Sequence, residues 1–265
     1  MDHQDNFSLV VVDITYRVVM ILALVWKCYC EIVDVETAFL YGTFDEEIYM
    51  KLPEGIEVIM EEEEKGSDKE CALLDRALYG LVQAARQFFK KFLSVMEGQL
   101  GFKRCMADNC LLTRETRLGI VIVCVYIDDT LCIGNKDALA GFKSEIRHFF
   151  NVKEEGAMTE FVGCSVTRVG PKLYMHQKEL ILRMERAFES DLVKGDRKYE
   201  TPGAPGIGIT KLAEGEKNLG QEAQTKYRSG VGMLLFLVKY SRPDIAKSVQ
   251  ELSKVNDGAG ERHYK

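Results

Sequence analysis

Two adjacent aspartates, Asp128 and Asp129, stand between two apolar runs, and a third, Asp34, ends another apolar run. The runs at 118–126 and 130–134 predict a β-hairpin with both carboxylates at its tip. Neighbouring carboxylates repel each other unless a cation or hydrogen bonds compensate them. Aspartate is also an ordinary turn residue. Convergence with Asp34 at one sheet edge would favour a site for a hard cation.

The chemistry that suits such carboxylates is phosphoryl or nucleotidyl transfer. Mg²⁺ prefers oxygen ligands and keeps positions for water and phosphate oxygens. Two such ions about 3.5–4 Å apart can activate a hydroxyl and stabilise the leaving oxygen of an in-line displacement. The sequence has no P-loop, G-x-G-x-x-G segment or nucleophile motif, which disfavours a generic phosphotransferase or phosphatase.

Strand-like and helix-like patterns alternate along the chain and must position these acids. Beside the hairpin, strands are predicted at 28–34, 47–52, 161–169 and 172–175. Amphipathic spacing predicts helices at 81–100, 137–150, 177–189, 225–240 and 243–254. Proline and glycine mark 201–208 as a linker. The mixture predicts an α+β fold.

The composition is that of a globular protein: 265 residues, of which 46% are hydrophobic and 29% charged. The longest apolar run, 18–26, is about half the length that a bilayer span needs, and the acidic start is unlike a secretory leader. We therefore expect an intracellular, cytoplasmic protein without a membrane segment. Eight cysteines without a C-x-x-C pair are expected to be reduced core thiols, not zinc ligands.

Charge is divided unequally along the chain. Residues 1–70 carry 17 acidic against 5 basic side chains, a net of −12, whereas residues 71–265 carry 24 against 30, a net of +6. The overall charge of −6 argues against a phosphate-rich partner, but the second part is basic. The run Glu61 to Glu64 is expected to be a solvated loop. Weak binding of nucleic acid by this chain alone is therefore expected.

Five groups of residues follow one another in a defined order. They are 34–42 (DVETAFLYG), 47–55 (EIYMKLPEG), 77–84 (ALYGLVQA), 126–129 (YIDD), and 227–229 (YRS) with 242–245 (RPDI). In this order and spacing they resemble the reverse transcriptase of copia-type long-terminal-repeat retrotransposons, over nearly the whole chain.

The resemblance implies a polymerase palm, an antiparallel sheet packed on helices, followed by a partial helical thumb and connection. The expected divisions are a palm with partial fingers elements at 1–165, a thumb-like segment at 166–200, a linker at 201–224 and a helical connection at 225–265. Asp34 and Asp128 would bind two Mg²⁺ or Mn²⁺ ions, and Asp129 would complete the acidic cluster.

The resemblance also implies contacts to substrate. Phe39 would close the sugar pocket and exclude a 2′-hydroxyl, although a core role remains open. Gln83 would lie near the incoming nucleotide, the alternative being an exposed helix glutamine. Contacts to the primer and duplex are expected from Gly163, Lys178, Arg183 and Arg186, the alternative being an ordinary solvated helix face.

The implied activity is RNA-directed DNA synthesis from deoxynucleoside triphosphates on a primer–template, alongside other parts of a retroelement polyprotein and in virus-like particles. Two residues depart from the family pattern: Ala85 replaces a proline and Val82 a lysine. We also expect the chain to lack the family's basic fingers segment and its ribonuclease H. A catalytically inactive remnant or a nucleic-acid-binding module therefore stays open as the alternative.

Overall fold

The computed structural model describes residues 10–56, 71–191, 201–203 and 208–264. The acidic run at 61–64 lies outside these ranges. The chain divides into two compact units, Met1–Met158 and Thr159–Lys265. Both units contain helices and antiparallel strands, so the predicted α+β class agrees with the structure at this level.

The first unit is built on a six-stranded antiparallel sheet of β1 (Tyr29–Val35), β4 (Lys103–Arg104), β5 (Leu111–Thr116), β6 (Gly119–Tyr126), β7 (Asp129–Gly134) and β8 (Val152–Ala157). Across the sheet the strand order is β4-β5-β6-β7-β1-β8. A separate hairpin joins β2 (Tyr49–Lys51) and β3 (Cys71–Leu73). Strand β1 pairs with β7 and β8, which follow it far along the chain, so the fold places the strand of Asp34 beside the predicted hairpin.

Three helices belong to this unit: α1 (Asp13–Val25), α2 (Ala84–Gly98) and α3 (Lys136–Ile146). Helix α2 is amphipathic, and its Phe88 and Phe92 are buried. Both rings lie close to Phe150, with centroid separations of 6.3 and 5.7 Å. In the described part of the chain, none of the helices has the length and apolar character needed to cross a membrane.

The centre of the sheet is apolar on both faces. Strand β6 buries five consecutive residues from Val121 to Val125, as expected for a strand covered on two sides. The eight cysteines all lie in described segments and form no disulfide. Five of them are buried as predicted, but Cys30 and Cys105 are only half-buried and Cys71 is exposed, so the core position predicted for all eight is wrong for Cys71. Burial raises the pKa of the Cys110 thiol to about 12, so this side chain behaves as a small hydrophobe at neutral pH.

A half-buried cluster of charges fixes β1 against α3. The Lys143 ammonium lies 2.6 Å from the Glu31 carboxylate of β1 and 3.0 Å from that of Glu154 on β8. Partial burial works against its charge, but hydrogen bonds to these two carboxylates keep the pKa of Lys143 above its ordinary value. Arg147 also pairs with Glu154. These contacts hold the strand of Asp34 in place.

The second unit combines a small antiparallel sheet of β9 (Glu160–Phe161), β10 (Cys164–Val169) and β11 (Lys172–His176) with four helices. The helices are α4 (Lys178–Phe188), α5 (Gln221–Tyr240), α6 (Ala246–Ser253) and α7 (Glu261–Tyr264), and a 3₁₀ turn covers Pro243–Ile245. Tyr227 lies in a core with Val231, Val255 and Ala259, and its hydroxyl donates to the Leu252 carbonyl. Tyr227 of the YRS motif is therefore a packing residue.

The carboxylate of Glu251 in α6 makes the stability of this unit depend on acidic pH. Its carboxylate accepts hydrogen bonds from Lys247 at 2.7 Å, Lys254 at 2.6 Å and the Ile209 amide at 3.1 Å. The hydrogen bond from Lys247, together with those from Lys254 and Ile209, lowers the pKa of Glu251 from its ordinary 4.5 to about 2. A lowered folded-state pKa contributes stability that is present above about 4.5 and lost as the pH falls towards 2.

We expect Glu251→Gln to lower the free energy of unfolding at pH 6, and this deficit to shrink steadily between pH 4.5 and pH 2.5. Urea unfolding followed by circular dichroism at several pH values measures it. Glu261→Gln in α7 is the matched control. A deficit that is the same at pH 6 and pH 3 would show that the charge of Glu251 is not what stabilises the unit.

Candidate active site

The register of three neighbouring strands places Tyr126, Asp129 and Asp34 in one row. Asp129 on β7 pairs with Tyr126 on β6 and with Asp34 on β1. Directly paired residues of antiparallel strands share a face of the sheet, with Cβ atoms about 4.5–5.5 Å apart. Both carboxylates are half-buried. The structure thus brings together two of the three acids singled out in the sequence.

The third acid lies in the turn beside them. Ile127 and Asp128 form the two-residue connection between β6 and β7, since Tyr126 pairs with Asp129. Ile127 has a φ of +62°, in the left-handed region that β-branched residues rarely adopt. Such strain persists only where the surroundings enforce it, and it is common in sites that must aim a side chain. Here it sets the position of Asp128.

A lysine continues the row on the other side of Asp34. Lys153 on β8 pairs with Asp34 and is exposed. Opposite charges in directly paired positions attract each other, so Lys153 offsets the charge of Asp34 and stands beside the site as a cation suited to phosphate. Sequence analysis missed it, because β8 reads VKEEGA and shows no strand-like alternation. Only the register reveals its partner.

Phe39 lies on a short 3₁₀ turn, Ala38–Tyr41, that follows β1. The preceding Thr37 is left-handed, with φ +52°, and so turns the chain sharply after Asp34. The Phe39 ring packs on Tyr79, with 4.4 Å between centroids and 36° between planes. Phe39 is partly exposed, which differs from a fully buried core ring.

Tyr79 is a residue that sequence analysis missed. Partial burial, followed by the charges of Asp128 and Asp34, raises the pKa of its hydroxyl. The influence of both carboxylates means that Tyr79, Asp34 and Asp128 share one neighbourhood. The only signal in the sequence was an aromatic residue in the ALYG segment, and its proximity to Phe39 depends on the tertiary fold.

Gln83 lies four residues beyond Tyr79, at the N-cap of α2. Its backbone carbonyl accepts from the Gln87 amide at 3.0 Å, and its side chain is partly exposed. This placement fits the predicted start of a helix. Its role in nucleotide binding stays a prediction.

Gly163 lies in the second unit, in the turn between β9 and β10. Val162 and Gly163 both have positive φ, +53° and +67°, as a two-residue type I′ hairpin turn requires. A Cβ on Gly163 would lie 3.2 Å from the Phe236 ring. Turn geometry and packing therefore favour a glycine here, whatever else it contacts.

The basic residues singled out on α4 are all exposed. Lys178 begins the helix, and Arg183 and Arg186 are neighbours on its surface, whereas Lys178 lies about 140° around the axis from Arg183. Exposed basic side chains of this kind fit a phosphate backbone, which is recognised by charge rather than by sequence. A solvated helix face would have the same appearance, so the contact to a duplex stays a prediction.

The oxygen donors where β1 and β7 meet are those of aspartate carboxylates. Across 10–56, 71–191, 201–203 and 208–264, no three His, Cys, Asp or Glu side chains come close enough together to hold a metal. Mg²⁺ does not need such a cage, because it usually takes one or two carboxylates and completes its shell with water and substrate phosphates. Asp34 and Asp129 on one face, with Asp128 adjacent, fit that requirement.

This arrangement defines a carboxylate site at the turn of an antiparallel hairpin. Residues 1–196 match the family model described as reverse transcriptase (RNA-dependent DNA polymerase). The chain therefore belongs to the reverse transcriptase family. The resemblance to copia-type elements is confirmed by its relatives, which are transposon polyproteins.

Two plant relatives match essentially the whole chain. The retrovirus-related Pol polyprotein from transposon TNT 1-94 of Nicotiana tabacum is 32% identical over 100% of this chain and 20% of its own length. The one from transposon RE1 of Arabidopsis thaliana is 29% identical over 99% of this chain and 17% of its own length. The putative transposon Ty5-1 protein of Saccharomyces cerevisiae is 28% identical over 83% of this chain and 68% of its own length. No solved structure matches.

The chain spans about a fifth of the length of these plant polyproteins. The activities of the complete polyproteins are therefore not assigned to this chain by its similarity to them. The match ends at residue 196 in the family model, whereas the plant relatives align across the second unit as well.

Proposed function

We propose that this chain is the RNA-directed DNA polymerase domain of a copia-type retrotransposon, which extends a primer 3′-hydroxyl with deoxynucleoside triphosphates. The observation that carries the proposal is the direct pairing of Asp34 with Asp129 beside the Ile127–Asp128 turn, in a member of this family. Residues 1–165 would be the palm with partial fingers elements, 166–200 the thumb and 225–265 the connection.

Asp34 and Asp128, with Asp129 beside them, would hold two Mg²⁺ or Mn²⁺ ions. When bound, such ions supply Lewis-acid activation of the primer hydroxyl and of the triphosphate. Asp129 faces Asp34 across the strand pair and keeps the site acidic. Lys153, paired with Asp34 from the other side, would attract the negatively charged triphosphate and hold it at this edge.

Phe39 would select the sugar. Its ring stands after β1 on the 3₁₀ turn and is partly exposed, so a 2′-hydroxyl would meet it sterically, whereas a deoxyribose would pack against it. Gln83, at the start of α2, would lie near the nucleotide and template. Gly163 and the basic residues of α4, Lys178, Arg183 and Arg186, would contact the primer–template backbone.

The partners that follow are a primer–template duplex, deoxynucleoside triphosphates and the remainder of a polyprotein. Reverse transcription would take place in the cytoplasm, within virus-like particles. The negative net charge of the chain opposes duplex binding. Basic segments elsewhere in a polyprotein would therefore strengthen binding to nucleic acid.

Template-dependent primer extension tests the proposal. The purified chain, alone and joined to a fingers segment from a relative, is given a primed RNA template, deoxynucleotides and Mg²⁺ or Mn²⁺. We expect extension that Asp128→Asn reduces to background and that Asp137→Asn, a matched exposed aspartate of α3, leaves unchanged.

Extension no greater than the Asp128→Asn control in both forms would overturn the proposal. Duplex binding that weakens with salt, without extension, would then identify a nucleic-acid-binding module. No binding at about 50 mM salt would leave an inactive remnant.

A further inference from the structure

The turn that carries Phe39 is supported from several sides. Ala38 is fully buried, and the Tyr41 ring packs edge-on against Phe150 at 5.1 Å. The Gly42 carbonyl accepts from the Ala77 amide at 3.0 Å. A Cβ on Gly42 would lie only 2.9 Å from that of Gln87, so the end of the turn is pressed against α2. The base of the turn is therefore rigid.

Phe39 itself lies outside this rigid base. Its ring is partly exposed, and the ring contact recorded for it is with Tyr79. At 4.4 Å and 36° the two rings are in direct contact, at the short end of the separations that attracting aromatic pairs adopt. A phenylalanine ring without such a neighbour would exchange between rotamers. Tyr79 therefore restricts the direction in which Phe39 points.

The electrostatics of Tyr79 agree with a position beside this turn. Burial, followed by the charges of Asp128 and Asp34, raises the pKa of its hydroxyl, and the backbone of Ala38 and Phe39 partly opposes that rise. The contact that holds the two residues together is the one between their rings. Yet 56% of the residue is exposed, which leaves it little part in the core.

We propose that Tyr79 is a positioning residue for deoxynucleotide selection, which holds the Phe39 ring against the sugar of the incoming nucleotide. This inference rests on the proposed polymerase function and assigns a second aromatic residue to its specificity. A ring held in one orientation excludes a 2′-hydroxyl, whereas a mobile ring can move aside for ribose. Tyr79 acts through Phe39, so its loss should change the choice of sugar more than the rate with deoxynucleotides.

The test compares incorporation of dGTP and GTP on one primer–template by the chain carrying Tyr79→Ala, Tyr79→Phe or Phe39→Ala. The ratio of kcat/KM for dGTP to that for GTP is the readout. We expect Tyr79→Ala to lower this ratio about tenfold, chiefly through the KM for GTP, since an aromatic contact contributes about 1.4 kcal/mol. Tyr79→Phe keeps the ring and should retain the ratio within about threefold.

Tyr174→Ala, which removes a comparably exposed tyrosine from β11, is the matched control and should leave the ratio unchanged. If Phe39→Ala loses discrimination while Tyr79→Ala retains it, the positioning role is wrong and the polymerase function stands. Equal losses for Tyr79→Ala and Tyr79→Phe would also contradict it, because the ring contact would not matter.

A chain that extends no primer would contradict the proposed function by itself. The sugar preference is then measured by equilibrium dialysis of dGTP and GTP with Mg²⁺. A tighter affinity for dGTP that falls with Tyr79→Ala and persists with Tyr79→Phe would still support the role of Tyr79. Equal affinities for the two nucleotides in the unaltered chain would overturn it.

Discussion

Asp34→Asn is expected to reduce primer extension about 10³-fold or more and to leave the protein folded. The substitution keeps the shape of the side chain but removes a negative oxygen ligand, and a metal ion supplies several kcal/mol of transition-state stabilisation, at about 1.4 kcal/mol for each factor of ten. Primer extension under single-turnover conditions, over a range of Mg²⁺ concentrations, measures the loss.

The free energies of unfolding of two variants distinguish the repulsion between Asp34 and Asp129 from the attraction between Asp34 and Lys153. Asp129→Asn removes one of two like charges that face each other, so we expect it to raise the free energy of unfolding by about 0.5 kcal/mol. Asp34→Asn also removes that repulsion but takes away the opposite charge that Lys153 faces, and its net effect should be near zero.

Glu115→Gln on β5 is the control for both measurements, because Glu115 is an exposed acid of the same sheet away from this row. It should change neither extension nor stability appreciably. Extension by Asp34→Asn within tenfold of the unaltered chain, at any Mg²⁺ concentration, would remove Asp34 from the metal-binding role.

The sequence indicated the parts of the site that depend on local pattern. The runs beside Asp128 and Asp129 correspond to β6 and β7, and the run predicted at 172–175 corresponds to β11. The strand predicted at 161–169 is interrupted by the turn at 162–163, so β10 begins only at Cys164, and Gly170 is left-handed between β10 and β11. In these segments apolar residues, turn residues and the burial of the strands all agree.

Helix ends were predicted less well, because hydrophobic spacing and hydrogen bonding do not end together. The predicted helix begins at Leu81, but the amides of Leu81 and Ala84 each bond to the carbonyl three residues earlier, so α2 proper begins only at Ala84. Helix α3 ends at Ile146, where the chain again changes to three-residue bonds at His148 and Phe149. Such tight turns satisfy terminal groups without extending the helix.

The partners within the site could not be predicted, because they come from tertiary register. Strand β8 is polar and acidic, so its pattern predicts no strand, yet it places Lys153 opposite Asp34. The contact between Phe39 and Tyr79 joins residues far apart in sequence. Helix α1 appeared in the sequence only as an apolar run. Which of its residues are buried depends on the tertiary packing; they are Tyr16, Val19, Met20 and Ala23.

Gly134→Ala is expected to destabilise strongly the sheet that carries the site. Gly134 ends β7 and pairs with Val121 on β6 and Tyr29 on β1. A Cβ there would lie 2.3 Å from the Ile120 carbonyl oxygen, a backbone atom that cannot rotate away. The strands would have to separate, so we expect a loss of about 3 kcal/mol, the upper range for overpacking.

Gly141→Ala is the matched control, since it adds the same methyl group a few residues later. A Cβ on Gly141 would meet only the Leu118 side chain, at 3.9 Å, and Gly141 lies inside α3. Alanine is the better helix former, so this variant should gain about 0.5–1 kcal/mol. In urea unfolding, we expect the free energy of unfolding to fall for Gly134→Ala and to rise for Gly141→Ala.

A Gly134→Ala protein as stable as the unaltered chain would mean that β6 and β7 are not packed this closely. The hairpin would then lack the rigid base that aims Asp128 and Asp129.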